Sequence, residues 1–273
     1  MRLALSEIST VGASFAEDVA AYAAAGFDAI GIWESKLPDD DGANVALLER
    51  HGLAVANCVP AVPAVLPLGI PGLEGPPDPE VRIGSLCASM RRLAAYRPES
   101  VLCLSGPLAG RAEAEARSIV VDGLQRIGAA AREAGVRLGL EPIHGSQGAT
   151  TAFVHTIADA LALLEEAGLE DVGIMADTYN LAGEEPAALA AVAGRVTGLH
   201  VADWPLEQGR SDRVLPGEGR GEAAARLAAL RAAGWDGTLD VEIFSTPDRF
   251  WSLPVDEAAR RAHAAAAALR DAV

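Results

Sequence analysis

The chain repeats one pattern eight times: a short apolar run, then a longer stretch in which Ala, Leu, Glu and Arg recur at helical spacing. Short apolar runs between turn residues are typical of buried parallel strands, and the longer stretches are typical of amphipathic helices. The predicted strands are residues 3–5, 29–33, 54–59, 101–104, 137–142, 173–176, 196–201 and 239–244. The predicted helices are residues 15–25, 40–51, 80–96, 111–134, 152–167, 186–193, 221–233 and 255–271.

Eight strand–helix units with no composition break and no Ser/Gly-rich linker predict the α/β class and a single (β/α)8 TIM-barrel domain over residues 1–273. The alternative is a doubly wound open sheet. Such a sheet normally has a glycine-rich first turn of the GxGxxG kind. The first turn here reads SEISTVGAS, which favours the barrel.

A proline-rich segment joins the third predicted strand to the third predicted helix. Proline lacks the amide hydrogen and clashes with the preceding helical turn, so this segment is not a regular helix. Its prolines are Pro60, Pro63, Pro67, Pro71, Pro76, Pro77 and Pro79. Long loops on the catalytic face of a barrel often cover the substrate. Two interpretations therefore stay open: a substrate-covering loop or a surface connection.

The net charge and the cysteines limit which partners and which cellular compartment are expected for this protein. With 22 Lys and Arg against 38 Asp and Glu, the net charge is −16, which disfavours nucleic acid and anionic membranes as partners. No secretory signal and no apolar run of 18 residues is recognisable. Three cysteines without a close-spaced pair predict neither a disulfide framework nor a zinc motif. A cytoplasmic protein is expected.

Four chemically active residues interrupt the last four predicted strands at or near their carboxyl ends: Glu141, Asp177, His200 and Glu242. Active sites of (β/α)8 barrels are built at these ends. A buried carboxylate must find a partner or lose its charge, and one shared cation satisfies all four residues together. Taken singly, the aspartate is also explained as a loop cap, the histidine as a core residue, and each glutamate as an arginine partner.

The donor set predicts one bound divalent metal ion. Three carboxylates and one imidazole form an oxygen-rich site, which suits Mn²⁺, Mg²⁺ or Co²⁺ better than a closed structural zinc site. Mn²⁺ is the expected ion, with Mg²⁺, Co²⁺ and Zn²⁺ as alternatives. Open coordination positions would remain for the oxygens of a substrate.

At these residues the chain resembles the sugar phosphate isomerase/epimerase superfamily, the xylose isomerase-like barrels that include ketose 3-epimerases, hydroxypyruvate isomerases and inosose dehydratases. The motifs that carry the resemblance are LGLEPIH at 138–144, GIMADTYN at 173–180, GLHVADW at 198–204, DRVLPGEG at 212–219 and AAGWDGTLDVEIFS at 232–245. The resemblance implies that the four residues bind the metal and that Glu141 and Glu242 are the catalytic acid and base. It also implies that Arg213 contacts the substrate.

Further candidates for substrate contact surround these motifs: His144, Asn180, Glu34, Trp33 and Trp204. For His144 a supporting or surface role stays open, and for either Trp helix packing is an equal alternative. The ketose 3-epimerases of the family have a histidine where this chain has Asn180 and a glutamate where it has Gln147. In the family those positions hold sugar hydroxyls, so a free ketohexose or ketopentose is disfavoured as the substrate.

The expected function is that of a metal-dependent isomerase or epimerase of a small sugar, a polyol-derived ketone or a related hydroxy-ketone. As the resemblance implies, a proton is abstracted beside a metal-polarised carbonyl, an enediolate is held on the metal, and the two glutamates serve as acid and base. A lyase on the same site, such as an inosose-type dehydratase or a carbon-glycoside-cleaving subunit, is the first alternative. A non-catalytic barrel subunit is the second. A homo-oligomer is possible by the same resemblance.

Overall fold

In the computed structural model, which describes residues 1–273, eight parallel strands close into a barrel in the order of the chain. The last strand pairs with the first, with Leu239 opposite Leu3. The strands are β1 (Leu3–Ser6), β2 (Ala29–Trp33), β3 (Ala54–Val59), β4 (Ser100–Cys103), β5 (Leu138–Leu140), β6 (Gly173–Asp177), β7 (Val196–Val201) and β8 (Leu239–Val241). The predicted (β/α)8 barrel is confirmed.

Eight helices surround the strands: α1 (Phe15–Ala25), α2 (Asp41–His51), α3 (Pro79–Leu93), α4 (Glu113–Ala134), α5 (Ile157–Glu166), α6 (Pro186–Ala191), α7 (Glu222–Ala232) and α8 (Val255–Asp271). Their apolar faces and the outer faces of the strands form one large buried cluster, which is the main core. No helix combines the length and the apolar composition required to span a membrane.

The strands β5 and β8 are shorter than the sequence predicts, because the chain leaves the sheet soon after each of them. β5 stops at Leu140, and Pro142 has no amide hydrogen with which to continue the ladder. β8 stops at Val241, and the amide of Ile243 donates to the side chain of Ser9 at 2.9 Å rather than to a strand. Glu141 and Glu242 therefore each lie directly after a strand.

The fifth helix begins later than predicted, at Ile157 rather than 152. Thr156 caps it by accepting a hydrogen bond from the amide of Asp159 at 3.0 Å, and the carboxylate of Asp159 accepts one from the amide of Thr156 at 3.1 Å. This capping box fixes the start. The residues before it contribute to the loop at the top of the barrel, where the amide of Ile143 donates to Val154 at 2.9 Å.

The proline-rich segment lies along the loops that follow β4 and β5. The amides of Val65 and Leu66 donate to the carbonyls of Leu104 and Ser105, each at 3.0 Å, and the amide of Gly69 donates to Thr150 at 2.7 Å. These bonds hold the segment over the carboxyl ends of the strands. It is therefore part of the wall of the cavity described below.

Candidate metal and substrate site

The carboxyl ends of β5 to β8 bring the four predicted metal ligands to one place. Glu141 and Glu242 follow β5 and β8, Asp177 ends β6, and His200 lies within β7. All four are buried. The ligand atoms of Glu141, Asp177 and His200 lie within 4.8 Å of one another, which is close enough for one ion to contact all three.

Glu242 lies beside this trio. Its Oε2 is 3.5 Å from Nδ1 of His200 and accepts a hydrogen bond from Nη1 of Arg213 at 2.7 Å. Burial raises the pKa of Glu242, and the neighbouring Arg213 opposes this rise. The fourth predicted ligand is thus adjacent to the others and engaged by an arginine.

Arg213 lies between two of the carboxylates. Its Nη2 is 2.8 Å from Oδ2 of Asp177, while its Nη1 contacts Glu242. The rings of Tyr179 and Phe244 flank the guanidinium, each with its centroid 5.0 Å from the Cζ atom. Burial opposes its charge, yet the surrounding carboxylates raise the pKa of Arg213 above its usual value. The guanidinium therefore stays charged inside the site.

Asn180 links the carboxylates of Glu141 and Asp177. Its Nδ2 donates to Oε1 of Glu141 at 2.9 Å and to Oδ2 of Asp177 at 3.0 Å. Its Oδ1 accepts from Nε2 of Gln147 at 3.1 Å. Both amide hydrogens of Asn180 are thus used within the protein.

The residues present fit a divalent cation. Both ring nitrogens of His200 are buried without a hydrogen-bond partner, and burial lowers the pKa of His200 to about 4, so the ring is neutral at neutral pH with a lone pair available. Burial and the nearby charges of Asp177 and Glu242 raise the pKa of Glu141 well above its usual value. If all three carboxylates were ionised, one guanidinium would leave an excess of negative charge, which a dication would neutralise.

Asp240 lies inside the barrel beneath the trio. Its Oδ2 is 3.8 Å from Nε2 of His200 and accepts a hydrogen bond from Nδ2 of Asn57 at 3.0 Å. Burial raises the pKa of Asp240 well above its usual value. Asp240 was not predicted from the sequence as a site residue. The signal was available, because Asp240 and Glu242 are two positions apart and so face the same side of a strand.

A cavity of about 290 Å³ opens above these residues. Glu141, Glu242, Arg213 and Asn180 line one side. Most of the remaining wall consists of apolar side chains from the strand ends, the following loops and the proline-rich segment. The arrangement can hold a small ligand with its oxygens toward the carboxylate cluster.

Comparison with known families gives a match of the model for the xylose isomerase-like TIM barrel to residues 19–271. The chain belongs to the xylose isomerase-like TIM barrel family. A crystal structure of a protein from Sinorhizobium meliloti 1021 is 25% identical, with a TM-score of 0.82 over 96% of both chains. The IolI protein with a bound zinc atom is 21% identical, with a TM-score of 0.80 over 98% of both chains, which shows the shared fold alone.

Two curated relatives of this xylose isomerase-like barrel are enzymes. A 3-dehydroshikimate dehydratase of Pseudomonas putida is 30% identical over 146 residues, which are 50% of this chain and 22% of the relative. An L-ribulose 3-epimerase of Mesorhizobium japonicum is 29% identical over 126 residues, 45% of this chain and 39% of the relative. The chain therefore spans less than half the length of these relatives.

The other predicted substrate-contact residues of this xylose isomerase-like barrel fall into two groups, those that line the cavity and those that do not. Trp33, Arg213 and Asn180 line the cavity, whereas Glu34, His144 and Trp204 do not. Their positions depend on loop paths, which the apolar pattern does not encode.

The three residues outside the lining pack against the protein. Oε2 of Glu34 accepts hydrogen bonds from the amide of Ala61 at 2.9 Å and from Oγ of Ser89 at 2.6 Å. Trp204 stacks on Tyr179 with the ring centroids 4.2 Å apart, and His144 lies edge-on to Trp204 at 5.1 Å. Trp204 and His144 thus support Tyr179, a cavity residue that the sequence analysis did not single out.

Proposed function

We propose that this chain is a metal-dependent isomerase or epimerase of a small sugar, a polyol-derived ketone or a related hydroxy-ketone. The observation that carries the proposal is the buried trio of Glu141, Asp177 and His200, whose ligand atoms lie within 4.8 Å of one another and of which Glu141 lines a cavity. The L-ribulose 3-epimerase among the relatives supports this reaction class.

Glu141, Asp177, His200 and Glu242 would hold one divalent ion, for which we propose Mn²⁺, with Mg²⁺, Co²⁺ and Zn²⁺ as alternatives. When bound, such an ion polarises the carbonyl and hydroxyl oxygens of a substrate and makes the neighbouring carbon more acidic. The unpartnered ring nitrogens of His200 and the excess of carboxylates support this assignment.

Glu141 and Glu242 are the proposed base and acid. Both line the cavity, and the hydrogen bonds from Asn180 and Arg213 engage one oxygen of each carboxylate. The second oxygen is then available for a proton on the substrate carbon. Burial raises the pKa of both groups, which favours a carboxyl that can hold and return a proton.

Arg213 has a positioning role in this proposal. It is fixed by two carboxylates and two aromatic rings, so it presents a charged donor to the cavity with little freedom to move. A fixed donor orients a substrate oxygen at low entropic cost.

Uptake of solvent deuterium tests the proposal. Protein loaded with Mn²⁺ is incubated in D₂O with a panel of hydroxy-ketones, and mass spectrometry follows exchange at the carbon next to the carbonyl. Exchange is expected with at least one compound, and Glu141→Gln or Glu242→Gln should slow it by about 10²-fold or more. Glu166→Gln, at an exposed position on α5, is the matched control. The absence of exchange across the whole panel would contradict the proposal.

A lyase is the second candidate, and the match to 3-dehydroshikimate dehydratase favours it. Elimination begins with the same abstraction of a proton by a carboxylate and ends with loss of a β-substituent. The mass of the product separates the two reactions, because an isomer keeps the mass of the substrate and a dehydration product loses one water.

A further inference from the structure

The cavity has two chemically different halves. The polar residues of the lining are Glu141, Gln147, Thr150, Thr151, Asn180, Ser211, Arg213 and Glu242. The apolar half is formed by side chains from four strand ends and from the proline-rich segment, and its main members are Trp33, Val59, Leu68, Leu102, Leu104 and Ile143. These six residues belong to a single buried cluster, so the wall is packed from behind.

The apolar half offers almost no hydrogen bonds to a ligand. Its side chains are hydrocarbon or aromatic, and the indole nitrogen of Trp33 is used by Oγ of Ser6 at 3.1 Å. A hydroxyl group placed against this wall would lose its bonds to water without replacement, which lowers affinity. An apolar group in the same place would gain by leaving water.

The hydrogen-bonding side chains of the lining are few. Both amide hydrogens of Asn180 bond to Glu141 and Asp177, and the amide of Gln147 bonds to Asn180. Thr150, Thr151 and Ser211 are the further polar residues of the lining. A hydroxyl group of a ligand therefore depends on these side chains, because the apolar half supplies none.

We propose, resting on the function proposed above, that the substrate is a hydroxy-ketone that carries an aromatic or branched aliphatic group. Its vicinal oxygens face the carboxylate cluster, and its apolar group fills the half lined by Leu68, Leu102 and Leu104. A fully hydroxylated free ketose is a poorer ligand for this cavity.

Three probes with the same vicinal hydroxyl and carbonyl oxygens test the inference. They are 2-hydroxyacetophenone, which carries a phenyl group, hydroxyacetone, which carries a methyl group, and D-fructose, which carries further hydroxyls. Isothermal titration with the Mn²⁺-loaded protein is expected to show 2-hydroxyacetophenone binding at least about tenfold tighter than either of the others, because only the phenyl group is transferred from water to the apolar wall.

A substitution in the wall checks where the phenyl group binds. Leu68→Asn keeps the approximate size of the side chain and adds polarity, so it should reduce the preference for phenyl over methyl by about tenfold. Leu206→Asn makes the same change at a side chain that is 71% exposed and outside the cavity, and it should keep the preference. Leu73→Asn, on the half-buried part of the same wall, is the second variant if the first fails to fold.

Affinity and exchange separate this inference from the proposed function. Hydroxyacetone or D-fructose binding as tightly as 2-hydroxyacetophenone would overturn the inference, even if deuterium exchange shows that the enzyme activity is real. Tighter binding of the phenyl compound that Leu68→Asn abolishes would support the inference, even if no probe exchanges deuterium and the proposed function fails.

Discussion

Glu141, Asp177 and Glu242 are buried around one guanidinium, that of Arg213. Like charges this close oppose one another's ionisation, so the three carboxylates are ionised together only when cations compensate them. A single arginine would offset only one of three such charges. At the scale of residues, the excess of negative charge and the unpartnered imidazole of His200 together are the strongest reason to expect a metal ion.

A buried carboxylate outside this site, that of Glu7, makes the stability of the fold depend on pH. Its Oε2 accepts a hydrogen bond from the amide of Trp33 at 2.9 Å, and its Oε1 has no hydrogen-bond partner. Burial raises the pKa of Glu7 to about 8, despite Lys36 nearby. Because the folded state holds this proton more tightly than the unfolded state, the group stabilises the fold fully below about pH 4.5. The contribution is lost as the pH rises through about 8.

We therefore expect Glu7→Gln to flatten the fall in stability between pH 5 and pH 8. The slopes of unfolding free energy against pH should differ by up to about 1.4 kcal/mol per pH unit within this window. Urea unfolding of the metal-free protein at several pH values measures both slopes. Parallel curves for Glu7→Gln and the unmodified protein would show that Glu7 does not titrate in this range.

Individual residues also show how much of the candidate site can be predicted from the sequence. The four candidate metal ligands were predicted because each interrupts an apolar run, and a charged or polar side chain in a buried strand requires a partner. They are Glu141, Asp177, His200 and Glu242. Glu34 also follows a strand, but its carboxylate is directed to Ser89 and the amide of Ala61 instead of the cavity. Which way a side chain leaves the end of a strand depends on the next loop, and the apolar pattern carries no information about that loop.

At the scale of elements, the proline-rich segment was recognised as non-helical, but its anchoring was not predicted. The anchor is Arg82 on α3, whose side chain is fully buried. Its Nε donates to the carbonyl of Ala64 at 2.7 Å, and its Nη1 donates to Glu74 at 2.6 Å and to Pro76 at 3.0 Å. One charged side chain thus satisfies three carbonyls of a loop that lacks regular hydrogen bonding.

Arg82→Met should loosen this segment. Each lost bond to a charged donor costs about 1.5–3 kcal/mol, so amides in residues 61–76 are expected to exchange with deuterium at least about tenfold faster. Mass spectrometry of proteolytic peptides measures the exchange. Arg91→Met, at an exposed position on the same helix, is the control and should leave the rate unchanged. Equal protection in both variants would show that Arg82 does not hold the loop.

Two glycines inside the barrel leave room for side chains that project from other strands. A Cβ added at Gly31 on β2 would overlap both carboxylate oxygens of Asp240 on β8, and one added at Gly198 on β7 would overlap the side chain of Asn57 on β3. These glycines leave room for the polar pair that lies beneath His200. Their role depends on contacts across the barrel, which the order of residues along a strand does not show.

Gly31→Ala should destabilise the protein by about 1–3 kcal/mol, because the new methyl group displaces a carboxyl in a packed interior. Gly84→Ala makes the same change on the exposed face of α3, where a Cβ would meet no neighbour, and should stabilise the helix by up to about 1 kcal/mol. Thermal unfolding distinguishes the two. A melting temperature for Gly31→Ala equal to that of the unmodified protein would contradict the close packing around Asp240.

At the scale of the whole molecule, the eightfold alternation of strand and helix was sufficient to predict the closed barrel. The period of the apolar positions and the absence of a glycine-rich first turn carried that prediction. The composition of the cavity was beyond the sequence analysis, because half of its wall comes from loops and from a segment without regular structure. The sequence thus predicted the position of the candidate site better than the chemical character of its walls.

The number of metal ions bound per chain shows whether Glu141, Asp177 and His200 form a metal site. The protein is loaded with Mn²⁺, desalted and measured by native mass spectrometry, together with Asp177→Ala and His200→Ala. Asp122→Ala, at an exposed position on α4, is the control. We expect about one ion per chain in the unmodified protein and the control, and none in the two site variants. An unmodified protein without bound ion, or an ion retained by Asp177→Ala, would contradict the proposed site and favour a non-catalytic barrel.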